Sequence, residues 1–126
     1  MAMASTFERL VVWKKARVLA SEIYAVTGSG LFARDRDLQS QMRRAAVSIV
    51  SNVADGFERN TRADFARFLL IAKGSCGELR AQLYVALDQG YVGQAAFDQL
   101  FQCSIEVSRM LAAPRTSILR PKASHD

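Results

Sequence analysis

From residue 8 to residue 112, apolar side chains recur every three or four positions, and the recurrence breaks only where glycine or proline intervenes. That period belongs to a helix laid against a core, and no stretch alternates as a half-buried strand would. Leu10, Trp13, Ala16, Ala20, Ile23 and Thr27 mark the inward face of a first helix, expected over about residues 8–27. Ser5 and Glu8 have capping-box spacing before it, and Gly28 and Gly30 end it. A second helix begins near residues 35–37, where aspartates suit a helix N-terminus, with Leu38, Met42, Ala45, Ile49, Val53 and Phe57 inward and Gly56 near its end. Thr61 and Asp64 have capping-box spacing for a third helix over about 62–89. Its stripe is Phe65, Phe68, Leu69, Ala72, Cys76, Leu79, Leu83 and Ala86, and Gly90 stops it. Phe97, Leu100, Phe101, Ser104, Val107 and Leu111 point inward from a fourth helix over about 94–112, closed by Pro114.

Short links force sequential helices to lie antiparallel. The predicted architecture is therefore all-α, an up-down-up-down four-helix bundle over residues 1–113. Residues 114–126 hold both prolines and read as a flexible basic tail carrying Arg115, Arg120 and Lys122. A chain of 126 residues suffices for one such domain. No apolar run approaches the roughly 20 residues that cross a bilayer, and MAMASTFERL lacks the build of a signal peptide, so no membrane partner and a cytoplasmic location are expected.

Catalytic chemistry finds little footing. No G-x-S-x-G, H-E-x-x-H, P-loop or dinucleotide fingerprint occurs. Cys76 and Cys103 read as small buried thiols in helical patterns, and the single histidine, His125, lies in the tail. No catalytic, metal or cofactor residues are expected, and the chain reads as a non-enzyme. Ser75 reads as a helix–helix hydrogen bonder, because its segment is mid-helix with no strand before it.

Two helices have more to bury than one bundle requires. The second carries Val47, Val50 and Ala54 outside its core stripe, along with a polar seam of Arg44, Ser48, Asn52, Asp55 and Arg59. That seam suits either solvent or a polar network at a protein contact. Asp55 and Glu78 are acids placed to satisfy Arg44 and Arg59. The third helix carries Ala66, Leu70, Gly74, Gly77 and Ala81 as a second ridge, with Ile71 and Val85 also off the core stripe. Gly74 and Gly77 each cost about 1 kcal/mol in a helix interior. Close approach of another helix would compensate, either inside the bundle or from a partner. Surplus apolar surface on two helices points to self-association; if the two faces differ, the contact is head-to-tail, and closure gives a ring.

The runs FERLVVWKKARVLASEIYAVTG, QMRRAAVSIVSNVADGFER and DFARFLLIAKGSCGELRAQLYVALDQGYV resemble the bacterial four-helix-bundle family encoded by intervening sequences in 23S ribosomal RNA genes. The similarity covers about residues 7–112 and rests on Q-x-x-R-A-A-x-S-I, N-x-A-[DE]-G and F-L-x-I-A-[KR]-G-S-x-x-E-L. It implies an antiparallel bundle assembling as a homopentamer. A remoter similarity to accessory proteins of diversity-generating retroelements implies nucleic-acid binding. The chain departs from the family at Val50, where proline is common, at Asp55, where glutamate is commoner, and at GSGLFARD before the second helix.

The net charge is +5, with arginine supplying most of the 17 basic residues. Planar guanidinium groups suit phosphates and carboxylates. Expected nucleic-acid contacts are Lys14, Lys15, Arg17, Arg43, Arg62, Arg67 and Arg80. Two functions follow: a ring that binds RNA or DNA through these side chains, or a scaffold whose partner is another protein and whose arginines serve interface salt bridges.

Overall fold

A computed structural model describes residues 6–113; the expectations for Ser5, Pro114, His125 and the tail lie outside them. Four helices carry the fold: α1 (Val11–Thr27), α2 (Arg36–Phe57), α3 (Arg62–Asp88) and α4 (Gln94–Ala112). Among the described residues there is no strand. α1 and α3 each neighbour α2 and α4, so the four stand at the corners of a square. Ser48 of α2 meets Ser75 of α3 while Gly56 meets Phe68, which sets those two helices antiparallel. Below, the basal end is the one where α1 and α3 begin and α2 and α4 finish.

The starts of α2 and α3 follow from their caps. The Asp35 carboxylate accepts from the Leu38 amide at 3.1 Å, and the Thr61 hydroxyl accepts from the Asp64 amide at 3.1 Å. Each satisfies a donor that has no partner within its helix. The start of α1 departs from expectation. Residues Phe7–Arg9 form a single 3-10 turn, Leu10 is extended, and α1 begins at Val11 without a side-chain cap. Burial pins the chain there: Leu10 is in the core, and the Phe7 ring meets Trp13 edge-on at 5.1 Å.

The core is one cluster spanning all four helices. All eight predicted stripe residues of α3 are buried. Of the expected α1 stripe, Leu10, Ala16, Ile23 and Thr27 are buried, whereas Trp13 and Ala20 lie at the core's edge and Val12 and Leu19 join it. Val12 and Leu19 turn inward because α1 packs into the groove between α2 and α4. In α2 the core gains Ala46 and Gly56, whereas Leu38 and Phe57 are only partly covered; in α4 Phe101 is likewise partly buried.

The link between α1 and α2 is not a plain loop. It folds as a 3-10 helix (Gly30–Arg34) that buries Phe32 completely, ring to ring with Tyr91 at 5.1 Å. Gly30 enters it at φ +60°, a conformation side chains other than glycine rarely adopt. The Tyr91 hydroxyl donates to Asp35 at 3.0 Å, tying this link to the α3–α4 turn.

Candidate functional site

Three surfaces carry the polar and exposed apolar residues that the core does not use. The first is the set of basic residues, which the fold scatters. The Arg43 Nε donates to the Thr27 hydroxyl at 2.9 Å and one terminal nitrogen donates to the Tyr24 carbonyl at 3.1 Å, with the guanidinium 4.4 Å over the Tyr24 ring. Gln39 adds a bond to the Thr27 carbonyl at 2.8 Å. These groups satisfy the C-terminus of α1 from a neighbouring helix, where positive charge is favoured. Arg80 is likewise turned inward, donating to Ser104 at 3.1 Å, while Ser104 donates to the Cys76 carbonyl at 3.3 Å. Neither arginine is a free surface cation.

Lys15 and Glu106 join α1 to α4 at 2.8 Å. Their hydrogen bond and mutual attraction raise the lysine pKa and lower that of the glutamate. Arg67 lies 3.8 Å from Asp64 and, with Arg59, stacks on the Phe68 ring. That leaves Lys14, Arg17 and Arg62 from the predicted set, exposed and without an ion pair among the described residues. Lys14 and Arg62 stand at the basal end and Arg17 one turn above Lys14. There the fold adds Arg9 and Arg109, which sequence reasoning missed because each is isolated in the chain. Among the described residues, Glu8 and Glu58 are the acids at that end without a basic partner, so the balance of those residues is positive. Lys14, Arg17, Val18, Ser21, Glu22 and Ala25 line an open hollow of about 520 Å³ along α1.

The second surface is the polar seam between α2 and α3. Ser75 is buried and donates to Ser48 at 3.0 Å, and the Asn52 amide donates to the Ser48 hydroxyl and carbonyl at 3.0 and 2.8 Å. Asp55 pairs with Arg59 at 3.3 Å. The expected pairing of Arg44 with Glu78 does not form: Arg44 donates to Ser40 at 3.1 Å instead, and Glu78 has no ion pair among the described residues. Nor do Asp55 and Glu78 meet, because the register fixed by Ser48–Ser75 places them on opposite sides of that contact. Arg44 and Glu78 instead flank a hollow of about 270 Å³ with Gln41, Ala45 and Ser48. The buried Gln82 leaves its side-chain oxygen without a partner.

The third surface is apolar. On α3, Leu70 is 68 % exposed, Val85 47 % and Ile71 43 %. Ala66 and Gly77 are half-buried, and Ala81 is open. A methyl placed on Gly74 would touch nothing within 4 Å, and one on Gly77 would meet only the tip of Arg80 at 3.8 Å. Tight packing within the bundle therefore does not explain those two glycines. The tight glycine is Gly56, where a Cβ would fall 2.7 Å from the Phe68 Cβ. On α2, Val47 is 41 % exposed and Ala54 half-buried, whereas Val50 packs against the core edge, which narrows the surplus expected there. Tyr24 and Leu31 are exposed as well; α4 presents no exposed large apolar residue.

Among the described residues, no cluster of histidine, cysteine, aspartate and glutamate is arranged to hold a metal, and no helix is long and apolar enough to cross a membrane. The sequence profile of a family described as 23S rRNA-intervening sequence protein matches residues 8–113. No curated protein matches the chain. Among solved structures, it is similar to a protein of unknown function from the S23 ribosomal protein family of Bacteroides thetaiotaomicron VPI-5482. The TM-score is 0.75 at 23 % identity, covering 86 % of this chain and 98 % of the other. At that identity the likeness speaks for the fold.

Proposed function

The chain belongs to the 23S rRNA-intervening sequence protein family, and from that premise we propose that it is a homo-oligomeric, non-catalytic bundle that holds RNA or DNA at its basal end in the cytoplasm. The observation that supports nucleic acid is the group of exposed cations there that have no ion pair among the described residues: Arg9, Lys14, Arg62 and Arg109. Long basic side chains without local acids are free to replace counterions along a phosphate backbone. In a ring whose axis runs along the helices, the basal ends of all copies share one rim, so weak single contacts add by avidity. A pentamer is the ring the family resemblance implies.

Binding of a labelled rRNA fragment or DNA duplex between about 50 and 200 mM salt tests this. With about four phosphate contacts, affinity drops roughly a hundredfold over that range. Replacing Lys14 and Arg62 by glutamate flattens the dependence. Absence of binding at the lowest salt removes the nucleic-acid reading.

A protein-binding scaffold is the second reading. It is favoured by Arg43, Arg80, Lys15 and Arg67 being engaged within the bundle, and by the uncovered apolar face of α3. Sedimentation tests the oligomer independently of nucleic acid: a monomer at micromolar concentration contradicts it.

A further inference from the structure

We propose that the hollow between α2 and α3 binds a small zwitterion, a free α-amino acid held by its carboxylate on Arg44 and by its ammonium on Glu78. Arg44 stands about 20 Å of helix before the basal end of α2 at Phe57, so this site is separate from the basal cations. Gln41, Arg44, Ala45 and Ser48 follow one another at three- and four-residue steps, which makes them one ridge of α2, and Glu78 of α3 completes the lining. The charged and hydroxyl groups there keep unused bonding capacity. Arg44 commits one terminal nitrogen to Ser40 at 3.1 Å, and its other donors have no partner among the described residues. The Ser48 hydroxyl accepts from Ser75 and from Asn52, both at 3.0 Å, while no described acceptor takes its own proton. Glu78 lines the same hollow as Arg44 yet forms no ion pair among the described residues. Two turns beyond the Ser48–Ser75 contact, away from the basal end, the antiparallel register brings Gln82 level with Gln41. Gln82 is buried, and its side-chain oxygen has no partner.

These groups select their ligand by charge. A simple anion drawn to Arg44 would also meet the Glu78 carboxylate, and a simple cation drawn to Glu78 would meet the Arg44 guanidinium. A molecule carrying both signs satisfies the two together. The forked donors of a guanidinium match a carboxylate, and hydrogen bonds between charged groups are roughly twice as strong as neutral ones. The volume sets the spacing. At about 270 Å³ the hollow falls just below the range of about 300–1,000 Å³ that holds drug-sized ligands. The two charges must therefore lie close together, as they do on the α-carbon of an amino acid. Ser48 then adds its proton to the ligand carboxylate, the buried Ala45 supplies an apolar floor, and the amides of Gln41 and Gln82 stand at the end where a polar side chain would be received.

Amide chemical shifts of the full chain provide the test, followed by NMR as glycine, L-serine and L-glutamine are added to tens of millimolar. Binding moves the amides of residues 41–48 and 75–82 and leaves those of the basal end in place. Removing one charge from the ligand separates the two anchors. N-acetyl-L-serine lacks the ammonium and L-serinamide lacks the carboxylate, and each binds wild type about tenfold more weakly than L-serine. Glu78→Gln removes the discrimination against N-acetyl-L-serine and keeps that against L-serinamide; Arg44→Met does the reverse. Both positions are exposed, and circular dichroism checks that each variant folds. A merely structural role for either side chain would not produce that crossed pattern. No shift with any of the three amino acids, shifts confined to another surface, or variants that keep the wild-type discrimination overturn the proposal. Replacing Lys14 and Arg62 by glutamate leaves the titration unchanged; loss of amino-acid binding in that variant overturns the separation of this site from the basal end.

Discussion

Gly56→Ala sets two opposing effects against each other, and the structure says which prevails. In an exposed helix, replacing glycine by alanine stabilises by about 0.5–1 kcal/mol, because the unfolded chain loses freedom. At Gly56 the new methyl falls 2.7 Å from the Phe68 Cβ and 3.1 Å from Phe65 Cδ1. Ordinary carbon contacts lie near 3.5–4.0 Å, so α2 and α3 must separate by about 1 Å at this layer. Phe68 Cβ is anchored to backbone, and no rotamer change moves it away. Phe65 is in the core and packs edge-on against Phe57 at 6.2 Å, so it has little room to yield. Overpacking of this kind costs about 1–3 kcal/mol and can exceed that where backbone must shift. The net expectation is a loss of about 1–2 kcal/mol, or roughly 3–8 °C in Tm for a domain this size. Urea unfolding at low protein concentration reads it directly, because any self-association would add a concentration-dependent contribution. Gly74→Ala is the matched control, since its methyl meets nothing and should gain up to about 1 kcal/mol. Equal or greater stability of Gly56→Ala relative to wild type would refute the close-approach argument.

Arg43→Met keeps most of the aliphatic stem and removes the guanidinium that caps α1. It should cost about 1–2 kcal/mol and speed amide exchange in the last turn of α1, with the middle of α3 unaffected. Cys76 offers a pH test. Burial pushes its thiol up from the usual 9.0 to about 11. The unfolded thiol therefore ionises first, so the stability it contributes is complete below pH 9 and is lost as pH rises toward 11. The loss is on the order of 2 kcal/mol, and Cys76→Ala should show a correspondingly shallower decline across that window than wild type. Cys103 is partly exposed, so at neutral pH a maleimide should label it well before Cys76; equal rates would show that α3 and α4 open readily.

The helices were legible because burial on one face imposes a three-to-four-residue rhythm, clearest where a helix is long. The eight-residue stripe of α3 is the strongest case. The cap at Thr61 was readable as well, since it depends on residues three apart. Phe32 was not, because one aromatic among glycine, arginine and aspartate sets no period, and only the turn to Tyr91 brings a partner to it. The surface was read less well than the core. Arg43 and Arg67 look alike in sequence, yet one caps a helix end and the other lies out in solvent beside Asp64. Gly56 and Gly74 both interrupt helices, but one is pressed against Phe68 and the other faces open space. Local spacing determined which residues form helices and which side of each turns inward, because those depend on neighbours within two turns. Which cations stay free, which glycine is crowded and whether Glu78 finds a partner depend on residues tens of positions away, and only the packing of four helices against one another decided them.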